Sequence, residues 1–345
     1  MMQTLVTGGS GFVGKHLVTK LISNGEQVRI LDQTVQTVQT VQTVQTVQTV
    51  QTQPNTAVDV IKGSVTNQND AERACSNVES VFHLAGNAQL WARDPKLFDE
   101  VNYHGTLTML EAAKRAGVKK FVQCSSLTTL VGIHTPLGPS SADETINIVP
   151  EDCIGEYSRS KRKADLAVLD AKDHMDVMIA MPTEPLGAGD ESLTPPTAMM
   201  LDFINGKTPA FIDCILNFVP VSALADGFIA VRDKGLNGER YLLGGENLAM
   251  IDILSRLEEM TEKKMPTLKM PYSIAYMAGV LDTFIANRLT QKPPKAPING
   301  VKLAGRQVRF SSEKARRELG WHASDTSTAL GEMLDWAKQS GLIAP

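Results

Sequence analysis

The feature that most constrains the fold of this chain is a turn of closely spaced glycines near its start. Gly8, Gly11 and Gly14 stand three residues apart, directly after the apolar run Leu5-Val-Thr7 and directly before an amphipathic stretch. Gly8 can take a tight turn, Gly11 lets the backbone approach a pyrophosphate, and Gly14 lets a helix pack closely on the strand. The order strand, glycine turn, helix therefore predicts a dinucleotide-binding unit.

Short apolar runs and amphipathic stretches alternate through the first half of the chain. This alternation predicts an α/β fold with a Rossmann-type doubly wound parallel sheet. We expect residues 1–184 to form the cofactor-binding domain. Prolines and glycines become frequent in residues 185–345, which we expect partly to complete the sheet and partly to form a smaller C-terminal substrate lobe. After the first strand, strands are predicted at 28–31, 58–61, 81–84, 121–124 and 177–180, and helices at 107–116 and 157–170.

Asp32 ends the second predicted strand, 24 residues after Gly8. A carboxylate at this position can accept hydrogen bonds from both hydroxyls of an adenosine ribose and repels a 2′-phosphate, which favours NAD over NADP. Residues 34–52 then contain Val-Gln-Thr six times in succession, a period that fits neither a helix nor a strand. We interpret this repeat as a mobile expansion of the loop between the second and third strands, with an aggregation-prone composition. A functional binding repeat is the alternative.

Tyr157 and Lys161 are four residues apart in a predicted helix, so they share one helical face. A free tyrosine titrates near ~10, and a neighbouring ammonium is expected to lower this pKa toward the working range. The same lysine can hydrogen-bond a nicotinamide ribose. Ser126 follows the fifth predicted strand, where its hydroxyl can bind a substrate oxygen. Together these residues predict proton-coupled hydride transfer at a secondary alcohol or ketone.

Composition and motif spacing argue against several other classes of protein. A net charge of −4 and an aromatic content of 5% give no basis for a nucleic-acid partner. The four cysteines and six histidines form no metal-ligand pattern, so no metal site is expected. With no recognisable signal peptide and no run of 18 apolar residues, the sequence predicts a cytoplasmic protein without an integral membrane segment.

The stretch 272–289 is apolar on one side and contains Tyr276, Met277, Leu281, Phe284 and Ile285. Such a helix can contact a lipid-like substrate or a membrane surface. Packing against the core is the simpler expectation.

These motifs resemble the extended short-chain dehydrogenases/reductases, in the NAD-dependent epimerase/dehydratase family. The resemblance includes His83-Leu-Ala-Gly86, Val101-Asn-Tyr-His-Gly-Thr106, Pro182-Thr183 and Phe310–Trp321, and it extends over nearly the whole chain except the repeat. It implies a small-molecule substrate, and a homodimer is one expectation because family members commonly dimerise through two helices. The cofactor-binding residues that it implies are Gly8, Gly11, Phe12, Val13, Gly14, Asp32, Ser64, Val65, Leu84, Ala85, Gly86, Asn102, Tyr157, Lys161, Pro182 and Thr183.

The chain departs from the family pattern at two positions. Ser64 replaces the usual aspartate on the adenine side, and Met181 stands where an asparagine or arginine often precedes Pro-Thr. Within the family, the stretches 90–95, 182–190 and 238–247 resemble hopanoid-associated sugar epimerases, which are themselves similar to dihydroflavonol reductases.

Three functions are compatible with the sequence, and of these a nucleotide-sugar epimerase is slightly favoured. A nucleotide-sugar epimerase suits a retained NAD and would need cations for the diphosphate, for which Arg306, Arg309 and Arg240 are candidates. A dihydroflavonol-reductase-like or 3-beta-hydroxysteroid-dehydrogenase-like enzyme would instead reduce a hydrophobic ketone with NAD(P)H, and Trp91 is a candidate substrate contact. A non-catalytic NAD-binding sensor is the alternative from another class, although such relatives usually lack the tyrosine or the lysine.

Overall fold

A computed structural model describes residues 3–34 and 58–343 of the chain. The centre of the molecule is a seven-stranded sheet in which every neighbouring pair of strands is parallel. Its strands are β1 Gln3–Thr7, β2 Gln27–Asp32, β3 Asp59–Lys62, β4 Ser80–His83, β5 Lys120–Cys124, β7 Asp176–Pro182 and β11 Arg240–Leu243. Three smaller sheets contain β6 Ser140–Ala142, β8 Glu184–Leu186, β9 Ala210–Ile212, β10 Ile215–Pro220, β12 Glu246–Ala249, β13 Leu268–Met270 and β14 Val308–Phe310.

The strand order of the large sheet is β11-β7-β5-β4-β1-β2-β3. The chain builds outward from β1 to β3 and then returns to the other side of β1 with β4, so the order reverses between β1 and β4. In such sheets, ligands bind in the crevice outside the carboxyl ends of the strands at this reversal. The predicted α/β class and doubly wound parallel sheet are confirmed, and the predicted strands recur with ends shifted by one or two residues.

Helices cover both faces of the large sheet. Two of them continue into a π-helical turn, at Asp99–His104 and Ala286–Thr290, and a separate π-helical turn lies at Ala315–Leu319. The helices are α1 Phe12–Ser23, α2 Gln68–Cys75, α3 Lys96–Phe98, α4 Gly105–Ala116, α5 Gly155–Asp170, α6 Pro195–Ile204, α7 Val221–Lys234, α8 Met250–Thr261, α9 Tyr272–Ile285, α10 Ile298–Ala304 and α11 Thr326–Gln339.

The core follows from the two-residue period of the strands. Consecutive residues of a strand point to opposite faces of the sheet. Val6 and Phe82 therefore pack with α1 and α7 on one face, while Leu5 and Val81 pack with α2 and α4 on the other. Because both faces are covered, these strands are continuous apolar runs, which is why the sequence shows them clearly.

The second half of the chain contributes β11 to the edge of the large sheet, where it pairs with β7. A further apolar cluster lies among α6, α8, α11 and β10. The division into residues 1–184 and 185–345 stays a prediction. The repeat predicted to be a loop expansion at 34–52 lies, apart from Thr34, outside the described residues.

In the described part of the chain, no helix is long and apolar enough to cross a membrane. The same residues contain no group of three or more His, Cys, Asp or Glu side chains that could hold a metal ion. Cys75, Cys124, Cys153 and Cys214 are free thiols.

The expectation that the stretch 272–289 packs on the core is wrong for its large side chains. Met277 is 68% exposed and Leu281 is 60% exposed, and Phe284 also lies at the surface. The buried side of α9 consists of Ala275 and Gly279 instead. Small residues face the protein because the neighbouring helix α10 approaches closely at this point, and the large residues are left outside.

Candidate active site

The glycine turn adopts a conformation that depends on the absence of side chains. Gly8 has a φ of +69°, and its N–H donates to Leu31 O at 3.0 Å. A Cβ on Gly8 would lie 2.9 Å from the Cα of Ala85, and a Cβ on Gly14 only 2.1 Å from Gly8 O. The turn, the end of β4 and the start of α1 are therefore in direct backbone contact, which larger residues would prevent.

The start of α1 has the properties of an anion-binding site. The helix begins at Phe12, its N-cap is Gly11, and no side chain caps it. The first N–H groups of a helix have no partner within the helix, and its dipole is positive at this end. A Cβ on Gly11 would meet only Gly8 O, at 3.2 Å, so the turn is open on this side. Gly11, Phe12 and Val13 thus form a cradle that fits the pyrophosphate of a dinucleotide.

Asp32 lies beside this turn, as its position at the end of β2 predicts. Its Oδ2 accepts a hydrogen bond from Ser10 N at 3.0 Å, and its Oδ1 accepts one from Thr34 N at 3.3 Å. The carboxylate is therefore held against the glycine turn, and its predicted contact with an adenosine ribose stays a prediction.

The adenine side differs from the family pattern in its polar contacts. The Ser64 hydroxyl bonds the Thr66 hydroxyl at 2.8 Å and accepts from Gln33 Nε2 at 3.1 Å. The carboxylate in this region comes from Asp70, whose Oδ2 accepts the Ser64 N–H at 3.0 Å. Val65 is buried against Gly105. Ser64 is thus part of a local polar network rather than an isolated hydroxyl.

Gly86 follows β4, after the half-buried residues Leu84 and Ala85. A Cβ on Gly86 would lie 2.9 Å from Asn102 Oδ1 and 3.1 Å from Lys161 Nζ. These three predicted cofactor residues, which are far apart in the sequence, therefore meet at one point of the cleft.

Asn102 connects the loop after β4 to the helix that carries the tyrosine. It is buried in the π-helical turn before α4. Its Oδ1 accepts from Asn87 N at 2.7 Å, and its Nδ2 donates to Asn87 O at 3.1 Å and to Ser160 Oγ at 2.9 Å. Ser160 in turn donates to Tyr157 O at 2.8 Å. Asn102 thus fixes the position of this loop relative to α5.

His83 has a structural role below the cleft. Thr106 donates its hydroxyl hydrogen to Asn102 O at 2.7 Å, so it can only accept from His83 Nε2, 3.1 Å away. His83 Nδ1 then accepts from the Thr7 hydroxyl at 2.8 Å. Burial, together with the positive charge of Lys161, lowers the pKa of His83 to about 3. The ring is therefore neutral at physiological pH.

The predicted catalytic groups lie together at the carboxyl end of β5 and the start of α5. The Ser126 hydroxyl accepts from Thr128 N at 3.2 Å and from Thr128 Oγ1 at 3.1 Å, and it hydrogen-bonds Tyr157. Because Thr128 supplies two donors to its oxygen, the Ser126 hydroxyl hydrogen is left available for another acceptor. The Tyr157 ring packs edge-on against Phe98, with ring centroids 6.2 Å apart.

The prediction that Lys161 brings the pKa of Tyr157 below its ordinary value is wrong. Burial raises the pKa of Tyr157 above its ordinary value, and the hydrogen bond from Ser126 opposes this shift only in part. Lys161 is buried, and its ammonium donates to Cys124 O at 2.9 Å. The ammonium is thus held by a backbone carbonyl at the end of β5, and desolvation of the phenol dominates.

Pro182 and Thr183 follow at the end of β7 and are buried. Thr183 N donates to Leu243 O at 3.2 Å, while the Thr183 hydroxyl is buried and has no hydrogen-bond partner among the described residues. A buried hydroxyl without a partner is costly, and an amide group of a bound ligand would satisfy it. This residue fits the predicted contact to the nicotinamide amide.

The candidate diphosphate contacts do not form a cationic cluster. Arg240 donates to the carbonyls of Glu144 and Ile146, and Arg306 donates to Ile133 O at 3.3 Å. Arg309 is exposed on strand β14. The guanidinium groups of Arg240 and Arg306 are therefore engaged with the backbone.

Trp91 contacts the helical hairpin formed by α9 and α10. Its Nε1 donates to Asn287 Oδ1 at 2.7 Å. Trp91 therefore connects the loop after β4 to the segment that follows α9.

Two carboxyl groups near the site, one buried and one half-buried, were not predicted from the sequence. Asp165 accepts a hydrogen bond from Ser125 Oγ at 2.6 Å, and burial raises its pKa to about 6. Its position four residues after Lys161 places it on the same side of α5, which is a signal that could have revealed it. Glu184 directly follows Thr183, and burial raises its pKa to about 8, although a hydrogen bond from Asn217 N opposes the shift.

The glycine turn is also connected to the second half of the chain. Lys15 Nζ lies 2.7 Å from Glu191 Oε1, and His16 Nε2 donates to Ala188 O at 3.0 Å. Burial lowers the pKa of His16, which keeps it a neutral donor. The sequence gives no local signal for these contacts, because the partners are more than 170 residues apart.

The fold and these residues agree with comparisons to known proteins. The sequence profile of the NAD dependent epimerase/dehydratase family matches residues 4–244, and the chain belongs to this family. It is therefore an NAD(P)-dependent oxidoreductase or epimerase of the short-chain dehydrogenase/reductase type, which acts on a small-molecule substrate.

Two relatives are similar over almost their whole length. A dihydroflavonol 4-reductase-like protein of Synechocystis sp. is 29% identical over 343 residues, which cover 98% of this chain and 95% of the relative. Sterol demethylase protein B of Methylococcus capsulatus is 29% identical over 344 residues, 99% of this chain and 100% of the relative. Among solved structures, UDP-glucose 4-epimerase of Thermotoga maritima superposes with a TM-score of 0.75 and 21% identity, covering 98% of this chain and 99% of the epimerase.

Proposed function

We propose that the chain catalyses NAD-dependent hydride transfer at a secondary alcohol or ketone of a hydrophobic substrate. The observation that carries the chemistry is the approach of the Ser126 hydroxyl to the Tyr157 phenol at the carboxyl end of β5, close enough to act on the pKa of the phenol. A phenol and a hydroxyl in this arrangement can both contact one substrate oxygen, which is what general acid–base catalysis at a carbinol carbon needs.

In this mechanism Tyr157 takes the proton from the substrate hydroxyl during oxidation and returns it to the ketone oxygen during reduction. Ser126 stabilises the phenolate and orients the substrate oxygen, and the two donors of Thr128 fix the Ser126 hydroxyl for this purpose. Lys161, adjacent to Gly86 and Asn102, is placed to hold the nicotinamide ribose. NAD, when bound, supplies the hydride acceptor and NADH the donor.

The proposed preference for NAD rests on Asp32. Its carboxylate is held by Ser10 N and Thr34 N beside the glycine turn. A ribose with free hydroxyls can donate hydrogen bonds to it, whereas a 2′-phosphate would place negative charge against negative charge.

The proposed hydrophobic substrate rests on what surrounds the cleft. Arg240 and Arg306 each use one guanidinium nitrogen to donate to backbone carbonyls, which fixes both groups against the protein. Trp91 is bonded to Asn287 beside the exposed apolar side of α9. The Methylococcus relative, sterol demethylase protein B, supports the same class of substrate.

A nucleotide-sugar epimerase is the second candidate. The stretches that resemble sugar epimerases and the position of Asp32 favour it, because a redox-neutral epimerisation suits a retained NAD. A non-catalytic sensor is disfavoured, since a sensor has no need of a tyrosine that is hydrogen-bonded to an activating serine.

The deciding experiment measures turnover of a 3β-hydroxysterol and of UDP-glucose by the full chain, with NAD and NADP in separate reactions. We expect NAD-dependent oxidation of the sterol. Tyr157→Phe is expected to lower the turnover number by at least ~100-fold while NAD binding stays unchanged. Tyr103→Phe is the matched control, because Tyr103 is a half-buried tyrosine of the π-helical turn before α4. Epimerisation of UDP-glucose without sterol oxidation would overturn the substrate class, and full activity of Tyr157→Phe would overturn the mechanism.

A further inference from the structure

The outward side of α9 is an apolar surface that no described residue covers. It consists of Ile274, Met277, Val280, Leu281, Phe284 and, in the following π-helical turn, Leu289, all of which are exposed. We call this set the α9 apolar face. Single exposed apolar residues are normal on protein surfaces, but a contiguous group of this kind marks a binding surface.

The arrangement along the helix makes the face continuous. Ile274, Met277, Leu281 and Phe284 follow one another at intervals of three and four residues, so they lie on one side of α9. On the opposite side, a Cβ on Gly279 would lie 3.2 Å from Val301 Cγ2 of α10. Since α10 approaches this closely, α9 cannot rotate to bury its large side chains.

The segment that contains this face is positively charged, although the chain as a whole has a net charge of −4. Residues 263–306 contain eight lysines and arginines and a single acidic residue, Asp282. Asp282 is directed inward, where its Oδ2 accepts from Ala296 N at 2.9 Å. Exposed cations stand on both sides of α9 in the sequence, with Lys264 before it and Arg288, Lys292 and Lys295 after it.

The α9–α10 hairpin also contacts two segments of the cofactor-binding half of the chain. Trp91 of the loop after β4 is bonded to Asn287, directly after α9. Asn299 of α10 lies against Gly155, two residues before Tyr157, where a Cβ on Gly155 would be 2.4 Å from Asn299 Nδ2. The α9–α10 hairpin therefore forms the wall between this outer surface and the start of the catalytic helix.

We propose that the α9 apolar face docks on the surface of an anionic lipid bilayer. The helix lies parallel to the membrane plane with its large side chains among the acyl chains, and the cations at its two ends contact the lipid headgroups. The combination of an apolar stripe and a cationic rim selects this occupant over a second copy of the chain, whose identical rim would repel it. Docking goes beyond the proposed reaction and does not depend on it.

The test is flotation of the full chain with vesicles of phosphatidylcholine, prepared with and without phosphatidylserine. We expect binding to the vesicles that contain phosphatidylserine. Met277→Ser combined with Leu281→Ser should weaken the partition by roughly tenfold or more, because two side chains leave the acyl region. Replacing Arg288, Lys292 and Lys295 by Gln should weaken it by roughly fivefold per residue and abolish the preference for phosphatidylserine.

Leu236→Ser is the matched control, because Leu236 is an exposed leucine outside the α9 apolar face. Its vesicle binding should equal that of the unaltered chain. NADH binding by each variant checks that the fold is intact and separates loss of docking from loss of the proposed reaction. Absence of vesicle binding, or equal binding by the Met277/Leu281 variant, would overturn the proposal. A dimer that is detected by sedimentation and dissociated by the Met277/Leu281 variant would also overturn it, because the α9 apolar face would then hold two chains together.

Discussion

Ser125 Oγ donates a 2.6 Å hydrogen bond to Asp165 Oδ2, which fixes a buried carboxyl group of α5 behind the strand end that carries Ser126. The other oxygen, Asp165 Oδ1, is buried without a hydrogen-bond partner among the described residues. Asp165 is one helical turn from Lys161 and two from Tyr157. Its charge therefore acts on both groups, and it raises the pKa of Tyr157 as a smaller contribution beside burial.

Asp165→Asn should make the chain more stable at neutral pH. Burial raises the pKa of Asp165 to about 6, above its unfolded value of 3.8, so the folded chain binds this proton more tightly. Stability therefore falls as the pH rises through this window. Relative to the unaltered chain, the variant should gain up to about 3 kcal/mol between pH 4 and pH 8. Urea unfolding at several pH values measures this gain, and a pH-independent difference between the two proteins would contradict it.

His83 should produce a pH dependence of the opposite sign. Its pKa is lowered to about 3 in the folded chain, so between pH 6.5 and pH 3 the unfolded chain binds the extra proton. The stability contributed by the neutral ring is complete above pH 6.5. It is lost as the pH falls, by about 1.4 kcal/mol per pH unit within the window. In urea unfolding, His83→Gln should flatten this slope, while His134→Gln, which alters an exposed ring, should leave it unchanged.

Gly86→Ala should impair turnover more than stability. The added Cβ would lie 2.9 Å from Asn102 Oδ1 and 3.1 Å from Lys161 Nζ, and Asn102 is fixed by three hydrogen bonds. Lys161 must therefore move, and a displaced ammonium should lower the turnover number by roughly 10- to 100-fold. Gly331→Ala adds a methyl group 3.6 Å from Met260 Cε, an ordinary contact, and serves as the control. Equal turnover numbers for both variants in steady-state kinetics would contradict the proposed displacement of Lys161.

Asp32→Asn should reduce the discrimination between NAD and NADP. Removing the charge weakens the acceptor for the ribose hydroxyls and relieves the repulsion of a 2′-phosphate. We expect the dissociation constant for NAD to rise about tenfold and that for NADP to fall. Fluorescence titration with NADH and NADPH measures both. Asp59 is an exposed residue of β3 that pairs with Arg29, and Asp59→Asn should change neither dissociation constant.

The sheet and the cofactor turn could be predicted because the sequence carries their signals locally. β1, the glycine turn and α1 are consecutive, and each has a pattern of its own. The strands are apolar because both faces of the sheet are covered, so runs such as 121–124 stand out. Tyr157, Lys161 and Ser126 were predicted on the same basis, from their spacing and from their position after a strand.

Other features depend on contacts between distant segments. The pKa of Tyr157 is set by burial, and no spacing rule reports the degree of burial. A lone carboxyl group such as Asp165 resembles a surface residue in the sequence, and Arg240 resembles a free cation until its carbonyl partners are seen. The large residues of α9 gave the wrong expectation because hydrophobic periodicity identifies an apolar side of a helix without showing what lies opposite it.

Strand β11 has a consequence for the synthesis of this chain. β7 lies between β5 and β11, so the apolar face on which α7 packs is incomplete until residue 243 has been made. A chain that stops near residue 184 would present an unpaired β7 edge and uncovered apolar side chains, which invites aggregation. Six strands of the large sheet are therefore synthesised before the seventh strand, β11, is available to pair with β7. A ribosome stalled before residue 240 would hold a cofactor site whose supporting sheet is still open at one side.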